Sequence, residues 1–290
     1  MATSQANTPY LKLAALLTIV KWKTVALTAL AQYLAFLFAF SNASELWHSL
    51  SEVKVHLIIL ATALFLAAGN IINNFYDAER DLINRPNKAR FQHLVSKAFS
   101  LRFYMLLNAI GTLVAFYASW RIGIFFVVYG FALWFYSHKL SKLVLIREFA
   151  ASLLAVTAFF SLLLYFRMAP LTFLVYGFAI FLVVFSREVY KDIRSMKGDV
   201  ILGYKTIVTQ LGVVPSIRIF QVLMITSLLP DLLLLTVMDK SAWLGLMPVI
   251  AVLTLIAVLI LPIEVVKRKK WVQGLLQLII ALYIGGLVWL

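Results

Sequence analysis

Nine apolar runs separated by polar stretches constrain this chain more than any other feature. They lie at 24–42, 55–75, 101–120, 122–137, 146–166, 169–187, 219–237, 242–263 and 271–290. Several approach the roughly 20 residues that cross a bilayer core as a helix. The run at 122–137 is short, and its boundary with the preceding run is soft. Composition agrees with membrane burial: 63% of residues are hydrophobic, 13% are charged and the mean hydropathy is +0.95. A soluble domain is about half apolar and a quarter charged, so a water-soluble fold and a disordered chain are both excluded. There are no cysteines, which removes disulfide scaffolds, thiolate catalysis and cysteine-ligated metals. The expectation is an all-α polytopic membrane protein, a single domain over 1–290 built as a nine-transmembrane-helix bundle. Cytoplasmic loop or helix caps are expected after spans 2, 4 and 6.

The chain has 26 Lys and Arg against 12 Asp and Glu, a net charge of +14. A soluble protein this basic would suggest nucleic-acid binding. The distribution points instead to topology. If the N-terminus is cytoplasmic, 22 of the 26 cations fall on the cytoplasmic side, and only Lys54, Arg121, Arg167 and Lys240 fall on the other. This positive-inside pattern predicts an odd span count with the C-terminus opposite, in a plasma or inner membrane if the source is bacterial. Membrane lipids are then expected partners; nucleic acid is not, and no obligate protein partner is evident. Residues 1–23 read as a cytoplasmic or interfacial segment. The apolar stretch Leu11–Val20 is short, follows a polar tail and lacks a small-residue cleavage site, so an interfacial helix is expected rather than a signal peptide.

Acids are few, and their placement is the main clue. Half of them, Asp77, Glu79, Asp81, Glu188, Asp192 and Asp199, lie in the two long segments after spans 2 and 6. In the first, Asn73, Asp77 and Asp81 are spaced i, i+4, i+8. On a helix continuing past the membrane edge they share one face, with Asn70 a turn below. Arg85-Pro86 predicts the end of that helix. In the second, Asp192 and Asp199 share a face with Ser195 between them, and Gly198 is expected to loosen or end the helix. Oxygen ligands of this kind suit Mg²⁺, which commonly joins protein carboxylates to substrate phosphates. The alternative is a pair of solvated, salt-bridged loops. Two such clusters at the same end of two spans favour a diphosphate site.

At these motifs the chain resembles the UbiA superfamily of intramembrane prenyltransferases, and the resemblance covers its whole length. The family's first motif, Asn-Asp-x-x-Asp-x-x-x-Asp, is matched by Asn73, Asp77 and Asp81, with Asn74 in place of its first Asp. Its second, Lys-Asp-x-x-Asp-x-x-Gly-Asp, is matched by Lys191, Asp192, Gly198 and Asp199, with Ser195 in place of the middle acid. Asn84-Arg85-Pro86 and Arg187-Glu188 look like the digeranylgeranylglyceryl phosphate synthase branch. The resemblance implies nine helices and Mg²⁺ held by Asn73, Asp77, Asp81, Asp192 and Asp199, with the four aspartates catalytic. It also implies diphosphate contacts from the Tyr136-Ser137-His138-Lys139-Leu140-Ser141-Lys142 string, with Lys139 or Lys142 in the role of a displaced lysine. Asn70, Arg85, Lys88, Arg187 and Lys191 complete the expected diphosphate set. Lys88, Lys139 and Lys142 also read as positive-inside anchors.

The expected reaction is Mg²⁺-dependent transfer of a prenyl group from a prenyl diphosphate to a lipid-soluble or interfacial acceptor. A glycerol-phosphate-type acceptor is favoured over an aromatic quinone or pigment precursor. An apolar chamber with π faces suits an allylic cation, and Phe125, Phe126, Tyr129, Phe131, Trp134 and Phe135 cluster near one motif-bearing end. A transporter is the rival class. It should carry midplane charges, and only Asp231, inside Leu228–Val237, favours it; a place near the outer interface is the preferred reading of that residue. His48, His56, His93 and His138 show no metal spacing and read as structural.

Overall fold

The computed structural model describes residues 9–40, 50–168, 170–237, 240–267 and 271–289. His48 and the last-loop charges Arg268, Lys269 and Lys270 lie outside them, as do the first eight residues of the expected interfacial segment. Among the described residues the chain is helical and has no strand. In order the helices are α1 (Pro9–Val20), α2 (Trp22–Ala35), α3 (Val53–Tyr76), α4 (Ala78–Asn84), α5 (Pro86–Gln92), α6 (Lys97–Ala118), α7 (Trp120–His138), α8 (Ile146–Thr157), α9 (Ser161–Phe166), α10 (Leu171–Ile201), α11 (Ile207–Leu211), α12 (Val213–Thr226), α13 (Leu228–Val237), α14 (Lys240–Lys267) and α15 (Trp271–Gly286).

Among the described residues seven helical stretches are long and apolar enough to cross a membrane, and eight if the α1–α2 pair, bent by 54° at Lys21, counts as one span. The protein is an integral membrane protein. The count differs from nine chiefly at 146–166, which is two helices of 12 and 6 residues, α8 and α9, rather than one. At the break a side chain from another helix meets the interrupted backbone. Buried Gln32 on α2 donates through Nε2 to the Ala158 carbonyl at 3.1 Å and to Ser161 Oγ at 3.0 Å. Backbone released by an interrupted helix thus finds a partner inside the protein, the condition for such an interruption at membrane depth.

The same economy appears at Pro262 inside α14, which has no N–H to give the carbonyl four residues earlier. That carbonyl, of Val258, accepts instead from Gln221 Nε2 on α12 at 3.1 Å. Large apolar residues such as Leu113, Tyr117, Val222 and Leu259 stay exposed on the outer face, where lipid replaces water as their neighbour.

Two helices are enclosed and position the rest. In α3 and α10, 61% of the membrane-crossing window is buried, against 22–33% in the other spans. Around α3 the core is Phe36, Phe65, Phe126 and Tyr129 with their aliphatic neighbours. Gly130 on α7 lets the Phe65 ring lie against backbone, since a Cβ there would fall 2.6 Å from it. Around α10 the core is Tyr176, Phe220, Trp243 and Tyr283. The two acidic motifs sit at the ends of these two central helices, and α4 spans between them.

Candidate functional site

The first motif is shaped by a kink. The expected helix through Asn73, Asp77 and Asp81 stops at Tyr76 and restarts at Ala78, with Asp77 at φ −87°, ψ 3°. The hydrogen bonds nevertheless carry across: Asp77 N–H donates to Asn73 O and Asp81 N–H to Asp77 O, both at 2.9 Å. Glu79 and Asp81 lie in the first turn of α4, where acids face the positive end of the helix dipole. Arg85 leaves helical geometry, as a residue before proline tends to, and Pro86 opens α5.

The second motif lies on an unbroken α10. Gly198 does not end this helix, which runs on to Ile201. Its role is close approach. Its N–H donates to Asn84 Oδ1 at 3.0 Å, and a Cβ at this position would sit 2.5 Å from Asn84 Nδ2. Glycine therefore lets α4 dock on α10.

The docked helix brings Arg80 onto the second motif. Arg80 Nε donates to Asp199 Oδ1 at 2.5 Å and Nη2 to Asp199 Oδ2 at 2.8 Å, a bidentate pair, and Nη2 also reaches Ser195 Oγ at 2.8 Å. Ser195 Oγ donates to Asp199 Oδ2 at 2.9 Å. Asp199 is fully buried. Arg80 lies 3.8 Å from Asp192 Oδ1, and the Arg147 guanidinium contacts the same oxygen while its Nε donates to Glu148 Oε1 at 2.9 Å. Burial pulls the Arg80 pKa down, but the Asp199 hydrogen bond and charge outweigh it, so the pKa ends above its ordinary value. Arg80 is a permanent cation.

These ends enclose a cavity of about 100 Å³. Its charged wall consists of Lys21, Arg80, Arg85, Lys88, Arg147 and Lys191 facing Asp77, Asp81, Glu188 and Asp192, with Asn73, Asn74, Asn84, Tyr136, Ser141 and Ser195 between them. Cations outnumber acids, so the cavity suits an anion. Burial lowers the Lys88 pKa, Arg85 and Lys191 lower it further, and Asp81 opposes them. Asn73 Nδ2 donates to Asp77 Oδ2 at 2.9 Å, and Lys191 pairs with Glu188 at 2.5 Å.

Of the expected site residues, Asn73, Asp77, Asp81, Arg85, Lys88, Tyr136, Lys191 and Asp192 line this cavity. Asn70 is turned elsewhere: its Nδ2 donates to Val20 O at 2.9 Å, tying α1 to α3. Lys139 and Lys142 are exposed beside it. Arg187 packs on Glu188 at 3.3 Å, and Asp199 lies behind Arg80. Sequence reasoning passed over Lys21, Arg80 and Arg147, which it counted only as topological charge. The available signal for Arg80 was its position inside the first motif, three residues after Asp77.

The donor sets differ in their fit to a divalent ion. Asp77 and Asp81, with the amide oxygens of Asn73 and Asn74, give the cavity two carboxylates and neutral oxygens. That fits Mg²⁺, which takes one or two carboxylates and completes its shell from phosphate and water. At the second motif both Asp199 oxygens are engaged by Arg80, leaving one oxygen of Asp192 without a hydrogen-bond partner. Among the described residues no three acids or histidines converge on one point.

Asp231 takes no part in this site. It is fully buried, its Oδ2 accepts from Tyr283 Oη at 2.7 Å, and its carbonyl accepts from Trp243 Nε1 at 3.1 Å. Tyr176 Oη donates to the Tyr283 carbonyl. Together these three bonds tie α10, α13, α14 and α15 to one another. Two of the described histidines make side-chain hydrogen bonds, His56 with Tyr33 Oη at 2.9 Å and His138 with Tyr76 Oη at 3.1 Å.

Fold and site define an integral membrane protein with an acid-lined, cation-rich pocket at the ends of two buried helices. Residues 28–278 match the UbiA prenyltransferase family, and the chain belongs to it. The digeranylgeranylglyceryl phosphate synthase of Pyrococcus furiosus is 30% identical over 168 residues, covering 57% of this chain and 60% of the relative. That of Thermococcus kodakarensis is 28% identical over 247 residues, covering 82% and 88%. Across the first three relatives the match spans only 57–66% of their own length. A UbiA homolog from Archaeoglobus fulgidus, solved bound to GPP and Mg²⁺, has the same fold, with a TM-score of 0.68 at 16% identity over 94% of this chain and 99% of that one. A digeranylgeranylglyceryl phosphate synthase structure gives 0.69 at 20% identity over 96% and 99%.

Proposed function

We propose that the protein transfers a prenyl group from a prenyl diphosphate to a glycerol-phosphate-type acceptor, with Mg²⁺ as cofactor. The observation that carries this reading is the convergence of both motifs and six cations on one cavity at the end of an apolar bundle. The named relatives support the acceptor class, and the neighbour bound to GPP and Mg²⁺ supports the donor.

Asn73, Asp77 and Asp81 would hold the metal, which supplies charge neutralisation of the leaving diphosphate. Lys21, Arg85, Lys88 and Lys191 draw the phosphate oxygens into the cavity, with Tyr136 as a further donor. The allylic C–O bond breaks with its electron pair leaving on the diphosphate, an acceptor oxygen bonds to the freed carbon, and the proton of that hydroxyl is released. Preorganised cations favour this step because they face the charge that develops on the leaving oxygen. The apolar bundle keeps water from the allylic carbon. Phe131 and Trp134 line a lateral apolar groove of about 500 Å³ between α6 and α7.

In this reading the chain is a single domain over 1–290 that crosses the membrane nine times, with α8 and α9 together making one crossing. The N-terminus and the α4–α5 cap are cytoplasmic, the C-terminus is on the opposite side, and the α1 segment lies at the interface. Exposed Lys139 and Lys142 anchor the cytoplasmic edge. The test is incubation of the purified protein with geranylgeranyl diphosphate, geranylgeranylglyceryl phosphate and Mg²⁺. Diphosphate release with formation of the ether-linked product is expected. Release that is absent with this acceptor and present with an aromatic one would overturn the acceptor class.

A further inference from the structure

We infer that Arg80 stands in for a divalent ion at the second acidic motif, so that this site works with one metal position and one built-in guanidinium. The inference rests on reading the cavity as a diphosphate site and concerns how its charge is supplied.

Three observations carry it. The guanidinium lies where a cation bridging Asp192 and Asp199 would lie, 3.8 Å from the first and bidentate on the second. The middle position of that motif, Ser195, is a neutral hydroxyl that accepts from Arg80 at 2.8 Å and donates to Asp199 at 2.9 Å. A carboxylate at 195 would serve a metal; a hydroxyl serves as a link between guanidinium and acid. Lastly, the helix bearing Arg80 is held in place by the Asn84–Gly198 contact, which leaves no room for a side chain at 198.

Charge arithmetic points the same way. Asp199 is fully buried, and each of its oxygens already accepts from Arg80. Asp192 is shared between Arg80 and Arg147. A divalent ion bridging Asp192 and Asp199 would have to displace Arg80 from a bidentate pair, and a planar guanidinium on a carboxylate is a strong, geometrically matched contact. Asp77 and Asp81, in contrast, face the cavity without an arginine bound to them. The fixed cation also needs no free metal to be present when the diphosphate arrives.

The test counts ions. Full-length protein in detergent is titrated with Mn²⁺ in the presence of inorganic diphosphate, with bound ions read by electron paramagnetic resonance. Arg80→Gln should bind one more Mn²⁺ per chain than wild type, whereas Arg80→Lys, which keeps the charge, should match wild type. Equal counts in wild type and Arg80→Gln would overturn the inference.

A second arm does not depend on Arg80→Gln folding. Asp199→Asn should leave Mn²⁺ affinity within about twofold of wild type and lower the melting temperature, while Asp77→Asn, which alters a ligand itself, should weaken affinity by at least the roughly tenfold that losing a ligand's supporting partner costs. A tenfold loss in Asp199→Asn would place a metal on Asp199 and end the proposal. A prenyl-transfer failure with the ion counts intact would instead reject the substrate assignment alone.

Discussion

At the scale of single residues, the site separates acids that face the cavity from acids that hold arginines. Asp77→Asn and Asp81→Asn should each lower prenyl transfer about a hundredfold or more, because each removes a ligand of the metal that neutralises the leaving diphosphate, with little change in melting temperature; a steady-state assay beside a thermal melt checks both. Gly198→Ala should act differently. Its methyl group meets the Asn84 amide at 2.5 Å, and such overpacking typically costs about 1–3 kcal/mol. Pairing it with Asn84→Ala should recover part of that loss in a double-mutant melt. These two motifs were legible in the sequence to different degrees. Asn73, Asp77 and Asp81 could be found by spacing, because hydrogen bonds at i→i−4 continue through the kink and keep them on one side. Arg80 was hidden among charges that already had a topological explanation. Gly198 was misjudged because a glycine near a helix end signals a cap, whereas close approach depends on Asn84, 114 residues away.

At the scale of elements, the helices break or bend where a distant side chain takes over a backbone bond. Gln32 serves the Ala158 carbonyl between α8 and α9, and Gln221 serves Val258 below Pro262. Neither partner could be read from its own apolar run, and that is why 146–166 looked like one continuous helix. Gln221→Leu leaves a buried carbonyl unpaired and should destabilise the protein by about 1–3 kcal/mol. In a Pro262→Ala background the helix can supply its own N–H to Val258, and the cost of Gln221→Leu should shrink toward zero. A cycle of four melts measures that coupling, and equal costs in both backgrounds would reject the compensation.

At the scale of the whole molecule, the basic excess and the apolar bulk describe one arrangement. The bulk buries α3 and α10, and their ends gather the few acids under a lid of cations. Whether that end is cytoplasmic, and whether the chain crosses nine times, turns on the broken α8–α9 pair. Its 21 residues from Ile146 to Phe166 would span about 31 Å if fully helical, enough for one crossing even though neither piece suffices alone. Nine crossings put Lys142 and Arg167 on opposite faces, and positive-inside bias puts Lys142 in the cytoplasm. The absence of cysteine allows a clean measurement, since any single introduced thiol is the only one to label. Lys142→Cys should resist a membrane-impermeant maleimide added to intact cells and react once the membrane is opened. Arg167→Cys should react from outside. Labelling of both from the same side would mean that α8 and α9 enter and leave through one face. The count would then fall to eight, and the two chain ends would share a side.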